Sequence, residues 1–118
     1  MSITDLSFLS LTALADTPRH GYGILQEIDA ITSGRTTPAV ATLYRTLDRL
    51  VADGLIEEAG TEVVDGRFRR TYRLTESGRS LLSAEAAVRA STAKLATKRL
   101  RLPKANPGPV GGIAGGLA

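Results

Sequence analysis

Apolar positions along the chain fall into four stretches with helical spacing and one that alternates. Residues 4–15 are apolar on most sides, with Leu6, Leu9 and Ala13 joined by Phe8, Leu11 and Leu14. This predicts a helix that is buried broadly or shared with a second chain. Asp16-Thr17-Pro18 ends it, because a proline ring drives the residue before it out of helical backbone. In residues 22–32, Ile24, Leu25, Ile28 and Ile31 share one face and predict a second helix. Gly34 stands where a left-handed residue would close that helix.

The third stretch, residues 37–53, has the best-marked start. Thr37 is the expected N-cap, and Pro38 the first helical residue, where a missing N–H costs nothing. Gly54 ends it. At about 100° per residue, Val40, Leu43, Leu47, Leu50 and Val51 share one arc. Pro38, Thr42, Arg45, Thr46 and Arg49 share the opposite arc. The helix thus has one face to pack and one bearing two Arg and two Thr.

Residues 55–64 predict a strand with an irregular middle. Asp65-Gly66 is a type I′ turn dipeptide, since both central residues must take positive φ. Residues 67–74 return as a second strand, with Phe68, Arg70, Tyr72 and Leu74 on one face. Arg67, Arg69, Thr71 and Arg73 lie on the other. Thr75 then caps a final helix to residue 102, roughly 40 Å long at about 1.5 Å per residue. Leu81, Val88, Leu95 and Leu102 recur every seven residues along it. This seam is either core or a dimer contact. One long helix on a small domain has more seam than that domain can cover, which favours dimerisation, with Leu6 and Leu9 of the first helix contributing.

The order helix, helix, helix, hairpin, helix describes a winged helix-turn-helix, mainly α with a small two-stranded antiparallel hairpin. The expected organisation is a DNA-binding domain over residues 1–75, a dimerisation helix over 76–102 and a flexible tail over 103–118. Eight of the sixteen tail residues are Gly or Pro.

Composition narrows the function classes. A chain of 118 residues is one domain's worth. It has no Cys and one His, which excludes disulfides and cysteine or His-rich metal sites and disfavours most His-based catalysis. No convergent set of acids suggests an enzyme, and Gly21-Tyr22-Gly23 lacks the spacing and preceding strand of a dinucleotide loop. No cofactor is expected. No stretch approaches the roughly 20 apolar residues of a membrane span. The start MSITDLSF has no basic region of a secretory signal, so a cytoplasmic location is expected.

The net charge of +3 is unevenly placed. Residues 1–34 hold one base against four acids, a net of −3. Residues 35–80 hold eight Arg and no Lys against seven acids, a net of +1. Residues 81–118 hold six bases against Glu85, a net of +5. The middle arginines suit a polyanion, because a guanidinium presents a planar fork to phosphates and guanine edges.

Three motifs carry a family resemblance. They are Pro18-Arg19-His20-Gly21-Tyr22-Gly23, TLYRTLDRLVADGLIE at residues 42–57, and DGRFRRTYRLTESGR at residues 65–79. In order and spacing they resemble the PadR family of bacterial transcriptional regulators over about residues 6–102. That family has an HGY turn, a LYxxLxRLxxxGLI recognition helix and a GRxRxxYxLTxxG wing. Arg45 stands where the family usually has Pro. The single C-terminal helix resembles the family's short subgroup.

The resemblance implies a homodimer that binds a palindromic operator in double-stranded DNA, usually as a repressor. It also implies, for several members, release by a small aromatic or lipophilic effector. The third helix would enter the major groove, about 12 Å wide, with Thr42, Arg45 and Arg49 toward base edges. Thr37 and Pro38 would meet a phosphate at the helix N-terminus. Arg67, Arg69 and Arg70 of the wing would contact phosphates or the minor groove, and Tyr22 and Tyr44 phosphate oxygens. Several positions have rival roles. Tyr44 borders the apolar arc and suits packing equally well. Arg49 has Asp53 four residues on, an ion-pair spacing. Arg69 is better placed than Arg70 by strand parity. His20 reads as a structural residue ahead of a pH sensor. The alternative function is a winged-helix module that binds protein without binding DNA.

Overall fold

The computed structural model describes residues 3–104. The expected tail lies outside the described residues from residue 105 onward. Helix α1 (Asp5–Ala13) starts where the Thr4 hydroxyl accepts the Ser7 amide at 3.1 Å. Its buried side is Ser7, Ser10, Leu11 and Ala13, while Leu6 and Leu9 are half-buried against the core. Small residues let α1 approach closely. The buried Ser10 hydroxyl is satisfied by donating to the Leu6 carbonyl at 2.8 Å.

Arg19 and His20 form a two-residue strand, β1. It pairs antiparallel with β3 (Arg67–Leu74), which also pairs with β2 (Ile56–Val64). The sheet therefore has three strands in the order β1-β3-β2, and the expectation of a two-stranded hairpin is corrected. A two-residue strand has no periodicity to read. It exists because β3 presents a free edge at Thr71 and Tyr72, which His20 and Arg19 fill.

Helix α2 (Gly21–Ile31) follows directly and buries Gly21, Ile24 and Ile28. It closes in a Schellman arrangement. The Gly34 amide donates to the Asp29 carbonyl at 2.8 Å and the Ser33 amide to the Ala30 carbonyl at 3.2 Å. Ser33 and Gly34 both take positive φ, so the closing left-handed residue is one position earlier than expected.

Helix α3 (Val40–Ala52) also departs from expectation. Its N-cap is Ala39, without a side-chain cap bond, so Thr37 is not the N-cap and Pro38 is not the first helical residue. The end of α2 takes these groups instead. The Thr36 amide donates to the Thr32 hydroxyl at 3.1 Å, and the Thr37 hydroxyl reaches Asp29 Oδ1 at 3.4 Å. Leu43, Leu47 and Leu50 are buried as the apolar arc requires, but Val40 at its start is exposed.

In the hairpin, Asp65 (φ 52°) and Gly66 (φ 75°) both take the left-handed backbone of the expected turn. The irregular middle of β2 is a register shift between Glu58 and Gly60. Helix α4 (Glu76–Leu100) is capped by Thr75, whose hydroxyl accepts the Gly78 amide at 3.0 Å and donates to the Gly54 carbonyl at 2.6 Å.

The chain divides within α4 into two units, Met1–Val88 and Arg89–Ala118. In the first, Leu11, Leu14, Ile24, Ile28, Leu43, Leu47, Leu50, Ile56 and Tyr72 close one core, with Leu81 and Leu82 of α4 packed on it. Val88 is exposed, and in the second unit Leu95 and Leu102 are exposed as well.

Candidate nucleic-acid interface

The outward side of α3 follows from the burial of its leucines. Anchoring Leu43, Leu47 and Leu50 leaves Thr42, Arg45 and Arg49 in solvent. Arg45 Nη2 lies 3.4 Å from the Thr42 hydroxyl, and the Thr46 hydroxyl bonds back to the Thr42 carbonyl at 3.0 Å. Among the described residues no carboxylate forms an ion pair with Arg45, and none joins Arg49 to Asp53. Arg49 instead lines a depression with Thr4, the N-cap of α1, Ser7 of α1 and Thr42, Arg45 and Thr46 of α3. Thr37 is exposed ahead of α3, and Pro38 is half-buried.

Tyr44 has a packing role. Its ring lies against Gly21, so closely that a Cβ added there would sit 2.6 Å from Tyr44 Cζ. This contact sets the α2–α3 approach, and part of the ring remains exposed.

The wing arginines separate by partner. Arg70 Nη1 pairs with Glu58 Oε2 at 3.3 Å, and Arg73 Nε with Glu57 Oε2 at 2.7 Å. Arg67 stands exposed beside the turn. Arg69 is held by an aromatic face, its guanidinium carbon 5.6 Å from the centroid of Tyr22. Its Nε is buried without a hydrogen-bond partner. An arginine held by a π face keeps its charge uncancelled, so Arg69 offers more to an anion than Arg70. The structure thus brings Tyr22 and Arg69 together, although they are far apart in sequence.

His20 organises this cluster in the structural role expected of it, though the sequence did not show that it does so as a helix cap. Its Nδ1 accepts the Gly23 amide at 3.0 Å and caps α2. Its ring stacks on Tyr22 with centroids 6.5 Å apart, and its Nε2 lies 3.6 Å from Glu62 of β2. The signal was its position just before Gly21-Tyr22-Gly23, but histidine is an uncommon cap. Arg19 beside it is structural. Its Nε donates to the Ala13 carbonyl at 2.8 Å and its Nη2 lies 3.5 Å from Asp16 and 3.7 Å from Glu27.

Between α3 and the wing runs a cleft lined by Tyr44, Asp48, Phe68, Arg69, Arg70 and Tyr72. Burial pushes the Tyr72 phenol above its ordinary range. The Arg70 charge opposes that rise, and Tyr44, Asp48 and Glu58 add to it. Among the described residues no group of three or more His, Asp or Glu could hold a metal ion, and no helix is long and apolar enough to cross a membrane.

Residues 10–84 match the Transcriptional regulator PadR-like family. The chain belongs to that family. The transcriptional regulator Rv3488 of Mycobacterium tuberculosis is 45% identical to this PadR-like chain over 71 residues, 60% of the chain and 63% of that regulator. The chain thus spans under two thirds of that relative's length. A PadR family transcription regulator from Clostridium difficile has the same fold, with a TM-score of 0.70 at 20% identity, over 82% of this chain and 99% of the other. The Bacillus subtilis PadR crystallised in complex with operator DNA gives a TM-score of 0.59 at 19% identity, over 91% of this chain and 52% of that one. The winged-helix architecture of the PadR-like family is therefore that of this chain.

Proposed function

We propose that this PadR-like regulator is a sequence-specific DNA-binding repressor that works in the cytoplasm as a homodimer on a palindromic operator. The observation that carries the reading is the outward arc of α3, where Arg45 stands exposed beside Thr42 with no acidic partner among the described residues. On this reading α3 enters the major groove, with Thr42, Arg45 and Arg49 toward base edges. Thr37 and Pro38, just ahead of α3, lie toward the phosphate backbone. Arg67 and Arg69 of the wing hold phosphates, with Tyr22 beside Arg69 and Tyr44 at the edge of the cleft. Arg70 contributes once it leaves Glu58.

Exposed Val88 and Leu95 on the α4 seam support dimerisation, with exposed Leu102 two residues past the end of α4, which stops at Leu100 short of the expected residue 102. Half-buried Leu81, Leu6 and Leu9 are the remaining candidates for that contact. Two copies in one palindrome double the phosphate contacts and set half-site spacing. Release by a small lipophilic or aromatic effector completes the scheme by analogy with the family.

The test is binding of the full chain to DNA from upstream of its own gene. Arg45→Ala should weaken binding on the order of 10-fold or more and relax base preference at one position per half-site. Raised salt should weaken both proteins, with a slope set by the phosphates neutralised. Absence of binding to every such fragment at moderate salt overturns the reading in favour of a protein-binding module.

A further inference from the structure

The wing carries an apolar pair that the core does not use. Val63 and Phe68 face each other across β2 and β3 and are 63% and 82% exposed. By parity they belong to the same sheet face as buried Tyr72 and Leu74, so they extend that face beyond the core. The turn does not need them, because Asp65 and Gly66 supply its backbone. A cross-strand aromatic and β-branched pair supports a hairpin. Threonine at 68 would pair there without exposing a phenyl ring.

The surroundings of the ring point to its occupant. Phe68 lies between Arg67 and Arg69 in the strand, and Arg70 follows. It also lines the cleft shared with Tyr44 and Asp48 of α3. An apolar protein partner would have to desolvate this arginine cluster. DNA would offset that cost, because its phosphates pair with the guanidinium groups while its sugars offer C–H surface to the ring. Apolar side chains flanked by arginine are how proteins press into a minor groove and widen or unstack it.

We propose that Phe68, backed by Val63, is an apolar wedge that the wing sets against the sugar wall of a DNA minor groove. The inference rests on the DNA-binding reading above and adds to it a second source of specificity. The wedge reads groove width and deformability at base pairs that α3 does not touch.

The experiment uses the full chain and DNA from upstream of its own gene. Phe68→Thr keeps the cross-strand pairing and should melt within a degree or so of the wild type, which checks the fold. It should bind on the order of 10-fold more weakly, as expected for losing a buried aromatic ring. The slope of affinity against salt should stay unchanged, because no phosphate contact is lost. Hydroxyl-radical cleavage should show sugars protected by the wild type and released in Phe68→Thr, with part of the protection regained in Phe68→Leu. Equal affinity and protection in Phe68→Thr overturn the wedge and leave DNA binding standing. A change of oligomeric state with DNA affinity intact also overturns it, in favour of a protein contact. Failure of the wild type to bind any fragment removes the DNA-binding reading itself, and the wedge with it.

Discussion

Among the described residues three glycines lie within helices; Gly21, the first residue of α2, is closed off by the Tyr44 ring, and helix propensity treats the other two, Gly23 and Gly78, alike. Replacing a helical glycine by alanine gains about 1 kcal/mol where nothing else changes. The structure separates them. At Gly23 in α2 an added Cβ meets only His20 Cε1 at 3.5 Å and Arg19 Cβ and His20 Nδ1 at 3.6 Å, ordinary contact distances. At Gly78 in α4 it would collide with the backbone carbonyl oxygen of Leu55 and sit 2.9 Å from both Leu55 C and Leu74 Cδ1. A carbonyl in the chain cannot swing aside as a side-chain tip can. That same oxygen accepts the Thr75 amide at 3.1 Å, so a shift strains the start of α4 as well.

Overpacking costs about 1–3 kcal/mol, and a weakened hydrogen bond adds about 1 kcal/mol. Against the propensity gain, Gly78→Ala should lose about 2 kcal/mol, which is on the order of 10 °C in Tm for a domain of this size. Gly23→Ala should be neutral or gain up to about 1 kcal/mol. The assay is urea denaturation followed by circular dichroism, at one protein concentration so that association does not move the midpoint. A Gly78→Ala midpoint at or above the wild type refutes the reasoning, because relief of the collision would then cost less than helix propensity returns.

Two further outcomes test the frame around the interface. Thr75→Ala removes both the cap on Gly78 and the donor to the Gly54 carbonyl and should cost about 1–2 kcal/mol; Thr75→Ser should recover most of it, and equal stability of the three proteins would contradict the double role. Tyr72→Phe should flatten the alkaline loss of stability. The folded phenol titrates above the ordinary value of 10.0, so above that pH the unfolded chain ionises first and unfolding is favoured as pH rises. A thermal-melt series through that range with parallel slopes for the two proteins would remove Tyr72 as a cause.

Much of the candidate interface was legible before the fold was seen, and the reason is locality. The opposed arcs of α3 follow from a period of about 3.6 residues, so burial of Leu43, Leu47 and Leu50 sets Arg45 outward whatever the partner. The rivalry between Arg69 and Arg70 needed the third dimension. Parity favoured Arg69, but its stacking on Tyr22 and the pairing of Arg70 with Glu58 join residues distant in sequence. The cap by His20 was hidden because a single ring both ends a strand and starts a helix.

The sequence by itself determined the succession of four helices and one hairpin, the Asp65-Gly66 turn, the Thr75 cap and the sidedness of α3, because each depends on neighbours within a few residues. Only the tertiary structure decided the third strand, the true N-cap of α3 at Ala39, the clash waiting at Gly78 and the partners of Arg69, Arg70 and Arg73 in the wing. Those outcomes depend on which free edge, hydroxyl, carbonyl or ring the rest of the fold brings within reach, and no local pattern encodes that distance.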